Sequence, residues 1–230
     1  MPNTIIHTPA NHLTESVSFY QKLEFEVLSA SSPTLVSDGK VVIEINPDRY
    51  ARAGVKMYAP SWEKMVPLLE EHTAVSKTDE GYLLSDLSGV WIYLVEGNNP
   101  HQSLLQEIST SVLGNCAGLS LETTDFVRSL AIWKILGFTK ITGTIEQGWV
   151  SCQNDDEMTI SIMKPNTCPH LFFNPSLTYF NGENNLSIID KIRALNIPIT
   201  EEITFFNKEG IVDNIIIRDP GGYGFFLFSD

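Results

Sequence analysis

Short runs of large side chains, bounded by turn residues, recur along the chain and predict β-strands. The two clearest runs cover residues 90–96 and 223–228. Each run follows a tight turn, at residues 86–89 and 219–222, in which Asp comes first and Gly supplies a permissive backbone. The chain therefore contains the same turn and strand twice.

A second pair of matching segments supports an internal duplication. Residues 18–27 and 131–140 both have the pattern of a helix end that runs into a strand. The helix end and the final turn lie further apart in the second half than in the first, so the second half carries extra residues. Most of them are expected in the stretch 164–175, which contains three prolines and two asparagines.

The same patterns predict an α+β fold in which one strand, one helix and three strands follow each other four times, as four βαβββ units. In the first half the predicted helices are 13–22 and 61–72, and the predicted strands are 4–10, 25–30, 34–37, 40–46, 54–59, 74–78, 82–85 and 90–96. In the second half the predicted helices are 125–136 and 184–195, and the predicted strands are 117–123, 138–144, 147–152, 157–163, 176–181, 198–205, 211–217 and 223–228.

This order of elements resembles the vicinal oxygen chelate superfamily, which includes glyoxalases, extradiol dioxygenases and bleomycin-resistance proteins. The helix end with Phe19, Tyr20, Leu23 and Phe25 and the turn before the last strand are part of the resemblance. It implies two glyoxalase-like domains, residues 1–97 and 115–230, joined by a linker at 98–114. It also implies that the sheets of each domain form an incomplete barrel around a concave cleft, so that the chain has two clefts.

Enzymes of that superfamily hold a divalent metal ion with His or Gln on the first strand of a unit and Glu on its last strand. The resemblance places the ligand positions of the first cleft at Ile5, Glu44, Gly54 and Tyr93. It places those of the second cleft at Gly118, Ser161, Leu177 and Phe226. Only Glu44 among them is a usual ligand of a catalytic divalent ion, so we expect no metal cofactor.

His7 leaves a weaker alternative open. It shares a strand face with Ile5, and a loop two residues shorter before the first helix would bring it to the ligand position. His7 and Glu44 would then be half of a divalent metal site in a glyoxalase- or dioxygenase-type enzyme. Otherwise the two side chains form a hydrogen-bonded pair in the first cleft.

The second cleft is expected to bind a small molecule. Five side chains are predicted to project into it: Glu122, Tyr179, Asn181, Phe226 and Phe228. Aromatic walls with a few polar groups are typical of ligand pockets and favour a flat, apolar ligand. Glu122 would pair with a positive charge on a cationic ligand. Alternatively, these side chains fill a closed cleft as part of the core.

The net charge restricts the molecules that this protein is expected to bind. A net charge of −13 over 230 residues disfavours nucleic acids and anionic membrane surfaces as partners.

The sequence starts without a signal-peptide pattern and has no apolar run that could span a bilayer, so a cytoplasmic protein is expected. The three cysteines Cys116, Cys152 and Cys168 are expected as reduced thiols. Because both halves lie in one chain, a monomer is as consistent with the sequence as a homodimer.

Three functions from different classes remain open. The favoured one is a small-molecule binding protein without the metal centre of the superfamily, because most ligand positions lack donor side chains. The second is a metal-dependent enzyme of glyoxalase or dioxygenase type that uses His7 and Glu44. The third is a structural or interaction protein with filled clefts. Enzymatic activity is left open by the sequence.

Overall fold

The structure is a computed structural model that describes residues 3–100 and 109–229. The central part of the predicted linker, residues 101–108, lies outside these ranges. Within them the chain forms two β-sheets of eight strands each, one from each half, with short helices. The predicted α+β fold of four βαβββ units is confirmed.

The first half contains eight strands and two helices: β1 (Asn3–Pro9), α1 (Leu13–Lys22), β2 (Glu26–Ser29), β3 (Thr34–Ser37), β4 (Val42–Asn46), β5 (Gly54–Ala59), α2 (Val66–Glu70), β6 (Val75–Lys77), β7 (Gly81–Ser85) and β8 (Trp91–Glu96). The second half repeats the order: β9 (Cys116–Glu122), α3 (Phe126–Ile135), β10 (Thr139–Thr144), β11 (Trp149–Gln153), β12 (Thr159–Met163), β13 (Ser176–Phe180), α4 (Asn185–Ala194), β14 (Ile199–Ile203), β15 (Asn214–Arg218) and β16 (Gly224–Phe228). Among the described residues, no helix has the length and apolar content that crossing a membrane requires.

Helix α2 is the element that departs most from its predicted bounds. It was expected from residue 61 but begins at Val66, directly before Pro67. Proline has no N–H to donate and fits the first turn of a helix, so the helix starts at this point. The preceding Trp62 is buried in the core, and its indole Nε1 donates to the backbone oxygen of Val95 over 2.9 Å.

The two sheets have the same topology. The strand order is β2-β3-β4-β1-β5-β8-β7-β6 in the first sheet and β10-β11-β12-β9-β13-β16-β15-β14 in the second. The four central strands of the first sheet form two parallel pairs, β1 with β4 and β5 with β8, which join through the antiparallel pair β1 and β5. Each sheet is therefore two βαβββ units side by side.

Two reciprocal hydrogen bonds connect the halves. The hydroxyl of Tyr20, near the end of α1, donates to Asp219 Oδ2 in the turn before β16 over 2.8 Å. Trp133, the matching residue on α3, donates from Nε1 to Asp86 Oδ2 in the turn before β8 over 3.0 Å. All four side chains are buried. The repeated segments that reveal the duplication thus contact each other across the boundary between the halves.

The hydrophobic core is continuous through both halves, so the two predicted domains do not have separate cores. One cluster of buried side chains includes Ile6 from the first sheet and Phe225 from the second. The reciprocal hydrogen bonds explain the continuous core, because they hold α1 against the turn before β16. A Cβ atom at Gly221 would lie 2.1 Å from the backbone oxygen of Pro9, so glycine is required for this approach.

Candidate functional site

Alternate residues of the central strands point away from the main core and line a cleft on each sheet. In the first sheet, Ile6 and Val55 belong to the main core. His7, Glu44 and Lys56 have the opposite parity and contact each other on the other face of the sheet. The candidate sites are therefore these two faces.

An ion pair between Glu44 and Lys56 organises the first cleft. Lys56 Nζ lies 2.7 Å from Glu44 Oε1 and 2.9 Å from Oε2. Glu44 is 4% exposed and the Lys56 side chain is 13% exposed, so the pair is largely withdrawn from water. The bond to Oε2 has hydrogen-bond geometry, whereas no described donor is aligned with Oε1. The contact with Oε1 is therefore one of charge, although it is the shorter of the two.

His7 lies beside this ion pair in its neutral form. Its Nδ1 donates to the backbone oxygen of Arg52 over 2.8 Å, and its Nε2 accepts from Asn46 Nδ2 over 3.2 Å. The Asn46 amide is oriented by its Oδ1, which accepts from the backbone N–H of Asp48. Burial lowers the pKa of His7 and outweighs the raising effect of Glu44. The Nε2 atom of His7 lies 3.4 Å from Glu44 Oε1.

Tyr93 supplies the fourth side chain of this cluster. Its ring centroid lies 4.6 Å from that of His7. Its hydroxyl accepts from the backbone N–H of Arg52 over 3.1 Å, and burial raises the pKa of Tyr93, so the phenol is neutral. The cluster of His7, Glu44, Lys56 and Tyr93 therefore combines one imidazole, one carboxylate, one ammonium group and one phenol.

One ligand position transferred from the resemblance is displaced by two residues on β1. Ile5 packs with Leu35 and Val42 in a small apolar cluster instead of contacting Glu44. His7, two residues further on, reaches the carboxylate. His7 and Glu44 therefore lie side by side but without the hydrogen bond predicted between them, and His7 rather than Ile5 is the β1 residue that contacts Glu44.

A similar displacement affects β5. Gly54 was assigned to the ligand position, but a Cβ atom there would lie 2.0 Å from the backbone oxygen of Trp91. The close approach of β8 therefore excludes any side chain at Gly54. Lys56, on the same strand face, extends instead toward Glu44.

The second cleft is open and contains a cavity of about 500 Å³. Small-molecule sites typically have volumes of about 300–1,000 Å³. The cavity is lined by six large aromatic side chains: Trp149, Phe172, Phe180, Phe206, Phe226 and Phe228. The rings of Phe226 and Phe228 stack with centroids 5.7 Å apart, and Phe172 meets Phe226 edge to face at 5.2 Å. These rings form walls and leave the space between them open.

Hydroxyl groups form the polar part of this cavity. Ser151 Oγ and Ser161 Oγ are 2.6 Å apart, and Ser120 Oγ and Thr178 Oγ1 are 2.7 Å apart. In each pair one hydroxyl donates to the other, so the second hydroxyl keeps a proton for an oxygen of a ligand. The described lining residues include no Asp, Glu, Lys or Arg. These two pairs therefore offer two O–H donors without a formal charge.

Strand pairing gives each member of the first cluster a counterpart in the second cleft. The matched residues are His7 and Ser120, Glu44 and Ser161, Lys56 and Thr178, and Tyr93 and Phe226. The same backbone thus carries ionisable groups in one cleft and hydroxyl and phenyl groups in the other. The resemblance had assigned Gly118 and Leu177 to the ligand positions instead of Ser120 and Thr178.

The predicted insertion at 164–175 forms one side of the second cavity. It contributes Cys168, His170 and Phe172 to the lining. His170 Nδ1 donates to a backbone oxygen over 2.7 Å, and the His170 ring meets that of Phe226 at a centroid distance of 5.2 Å. Sequence comparison between the halves missed these residues because the insertion has no counterpart in the first half.

Glu122 was predicted to face the ligand, and this placement is wrong. Its carboxylate accepts from the backbone N–H of Asn166 in the insertion. Its backbone N–H and C=O also bond to the side-chain amide of Asn174, both over 2.8 Å. Glu122 is the last residue of β9 and lies outside the cavity lining. Its observed contacts attach the insertion to the sheet.

Tyr179 was also predicted to face the cavity and lies on the opposite face of β13. It is fully buried, and its ring stacks on Phe225 at a centroid distance of 6.4 Å. The resemblance placed Leu177 in the cleft, whereas the strand register pairs Thr178 with Phe226. A shift of one residue moves every side chain of a strand to the other face, and this shift produced the error.

Asn181 follows β13 and binds backbone instead of lining the cavity. Its Nδ2 donates to the oxygen of Leu113 over 3.0 Å, and its Oδ1 accepts from the N–H of Asn115 over 2.9 Å. Phe226 and Phe228 do line the cavity. Two of the five predicted side chains are therefore in the candidate site, and their role in ligand binding stays a prediction.

Neither cleft has side chains that suit the divalent metal ion implied by the resemblance. In the first, only His7 and Glu44 are usual ligands, and the ammonium group of Lys56 would repel a second cation. In the second, the corresponding groups are hydroxyls and a phenyl ring. Within residues 3–100 and 109–229, no cluster of three or more His, Cys, Asp or Glu side chains could hold a metal ion.

Comparison with solved structures shows that the chain shares its fold with several dioxygenases, in agreement with the fold that the resemblance implied. The catechol dioxygenase BphC, described as halotolerant, is 11% identical, with a TM-score of 0.53 over 98% of this chain and 90% of its own. A catechol 2,3-dioxygenase is 9% identical, with a TM-score of 0.58 over 96% of this chain and 85% of its own. Homoprotocatechuate 2,3-dioxygenase from Arthrobacter globiformis is 16% identical, with a TM-score of 0.54 over 96% of this chain and 78% of its own.

At these identities the likeness concerns the fold. No family model and no curated protein sequence matches the chain.

Proposed function

We propose that the protein binds a small, uncharged aromatic molecule in the second cleft and that it does so without a metal centre. The observation that carries this proposal is the open cavity of about 500 Å³ with aromatic walls. Flat aromatic ligands gain from stacking and edge-to-face contacts with such rings, in addition to the burial of apolar surface.

The charge of the cavity supports an uncharged ligand. A cationic ligand was considered because Glu122 was expected in the site, but Glu122 binds the insertion instead. The described lining residues offer no carboxylate, Lys or Arg side chain to pair with an ion. An ion that entered would lose its hydration without a compensating charge, which is unfavourable in an apolar site.

The hydroxyl pairs support a ligand with acceptor oxygens. Ser151 with Ser161, and Ser120 with Thr178, each leave one O–H available for donation. Carbonyl, ether or phenolic oxygens on an aromatic ring are suitable acceptors. The names of the structural neighbours refer to catechols, which are oxygen-bearing aromatic compounds, and this agrees with the proposed ligand class.

A metal-dependent reaction of glyoxalase or dioxygenase type at His7 and Glu44 has less support. Lys56 already neutralises Glu44 at 2.7 Å, and Tyr93 is a phenol rather than a carboxylate. The first cleft therefore lacks the donor set that such chemistry requires. A structural role with filled clefts has less support as well, because of the open second cavity.

The experiment is a thermal-shift screen with aromatic compounds of similar size that are neutral, cationic or anionic. Calorimetry then compares the wild type with Phe226→Ala. We expect stabilisation by neutral members with ring oxygens, and a loss of about 1–3 kcal/mol in binding free energy for Phe226→Ala, which is about 5- to 150-fold in Kd.

Tyr50→Ala is the matched control, because Tyr50 is an exposed aromatic side chain of the first half, outside the cavity lining. It should leave Kd unchanged. The proposal fails if no compound stabilises the protein, or if Phe226→Ala and Tyr50→Ala bind the hits with the affinity of the wild type.

A further inference from the structure

We propose that the ligand of the second cleft is an aromatic carbonyl compound and that Ser120 and Ser161 both donate to its one carbonyl oxygen. This inference rests on the proposed function, because it names the chemical group that the same cavity recognises. It concerns a site that works through neutral O–H donors alone.

Four hydroxyl side chains form a row along the sheet side of the second cavity. They belong to the neighbouring strands β11, β12, β9 and β13 and all line the cavity: Ser151, Ser161, Ser120 and Thr178. Each outer hydroxyl bonds to its inner neighbour, Ser151 to Ser161 over 2.6 Å and Thr178 to Ser120 over 2.7 Å. The inner members of the row, Ser161 and Ser120, therefore face each other across the boundary between the two pairs.

The spacing of the inner hydroxyls suits one acceptor oxygen between them. Ser161 and Ser120 are register partners on the parallel strands β12 and β9, so both side chains point to the same face. Neighbouring strands lie about 4.8 Å apart, and two hydroxyls at this separation both reach one oxygen over about 2.8 Å, at an angle of about 120°. This angle is close to that between the two lone pairs of a carbonyl oxygen.

The protons of the row also suit a shared acceptor. Within each pair only one of the two protons is used. With Ser151 and Thr178 as the donors within the pairs, the protons of Ser161 and Ser120 are both directed to the ligand oxygen. A hydroxyl that accepts a hydrogen bond becomes a stronger donor, so the outer members of the row reinforce the inner ones.

The surroundings of the row favour a carbonyl group that is conjugated with a ring. The described lining has aromatic walls and no Asp, Glu, Lys or Arg that could compete for the two donors. A hydrogen bond to a neutral oxygen is stronger in such an apolar environment than in water. An aromatic ketone or aldehyde is flat and uncharged, and its oxygen lies at one end of the molecule.

The first cleft has the opposite polarity at the same positions. The residues matched there to Ser120 and Ser161 are His7 and Glu44. His7 Nε2 accepts a hydrogen bond from Asn46, and the Glu44 carboxylate is an acceptor as well. A carbonyl oxygen would meet acceptors at both positions, so we expect one ligand per chain, in the second cleft.

The test uses four naphthalene derivatives of nearly the same shape. They are methyl naphthyl ketone, isopropenylnaphthalene, in which a CH₂ group replaces the oxygen, the corresponding secondary alcohol, and naphthoate. Calorimetry with the wild type should show one ketone per chain. The ketone should bind about 5- to 150-fold more tightly than the alkene, since each of two hydrogen bonds contributes about 2- to 12-fold. The alcohol and naphthoate should bind more weakly than the ketone.

Two variants and a matched control assign the donors. Ser120→Ala and Ser161→Ala should each weaken ketone binding about 2- to 12-fold and leave alkene binding unchanged. Ser187→Ala, at an exposed serine of α4 outside the cavity lining, should change neither. Infrared difference spectra of the ketone, labelled with an isotope at the carbonyl carbon, provide a second readout. Binding to the wild type should lower the carbonyl stretching frequency relative to a hydrocarbon solvent, and each cavity variant should reverse part of this shift.

The outcomes separate this inference from the proposed function. If ketone and alkene bind equally well, or if both cavity variants behave as Ser187→Ala, the carbonyl assignment is overturned while aromatic binding stands. Tighter binding of naphthoate than of the ketone overturns it as well. If none of the four compounds binds, it fails together with the proposed function. If a variant does not fold, the ketone and alkene affinities and the infrared frequency in the wild type decide, and an unshifted frequency overturns the assignment.

Discussion

The contact between the halves predicts a large effect from a very small change, Tyr20→Phe. The Tyr20 hydroxyl is fully buried and donates to Asp219 Oδ2 over 2.8 Å, and the substitution removes this one oxygen. A hydrogen bond to a buried carboxyl group contributes about 1.5–3 kcal/mol. Thr8 also donates to Oδ2, over 2.7 Å, so the oxygen keeps one partner. We therefore expect the lower part of the range, about 1.5–2 kcal/mol.

The assay is urea unfolding together with thermal unfolding. For a chain of this size, the loss corresponds to a fall in Tm of about 3–8 °C. Tyr50→Phe is the control, since Tyr50 is 69% exposed and its hydroxyl should contribute less than about 0.5 kcal/mol. Because the core is continuous, both halves should unfold in one transition. Equal effects of Tyr20→Phe and Tyr50→Phe would refute the reasoning.

Three further predictions concern pH, the hydroxyl pairs and the insertion. Burial raises the pKa of Asp86 and Asp219 in the folded chain, so the folded state binds these two protons more tightly than the unfolded state. The free energy of unfolding should therefore fall as the pH rises from about 4 through the raised pKa values of the two carboxyl groups. Urea titrations at several pH values should show a smaller fall in Asp86→Asn, and an unchanged pH profile contradicts this. Thr178→Val should weaken ligand binding by about 0.5–1.5 kcal/mol in calorimetry, whereas Thr139→Val, outside the cavity, should not. Glu122→Gln should leave the salt dependence of binding unchanged, since Glu122 contacts the insertion, and a lower salt dependence would show a charged ligand contact.

The fold was predictable because the sequence repeats its strongest local signals. Turns that begin with Asp86 and Asp219, and helix ends with Tyr20 and Trp133, fix the number and order of the units. The contacts between these same residues were not predictable from periodicity. The sequence pattern identifies only two helix ends, and the folded chain shows that each aromatic side chain bonds to the Asp of the other half.

The candidate site was predictable only in part, for two physical reasons. Strand parity is fixed by register, and an error of one residue on β13 exchanged Tyr179 for Thr178. The insertion, which brings His170 and Phe172 to the cavity, has no periodic pattern from which its path could be inferred. By contrast, Phe226 was assigned to the second cleft by the resemblance, from its spacing after the turn that begins with Asp219, and it does line the cavity.

Binding in the second cleft is tested most directly by a crystal structure of the protein with the tightest-binding neutral aromatic compound from the screen. The ring of the compound is expected in the second cleft against Phe226 and Phe172, with a ligand oxygen within hydrogen-bonding distance of Ser161 or Thr178. A compound bound outside this cavity, or beside Lys56 in the first cleft, would contradict it.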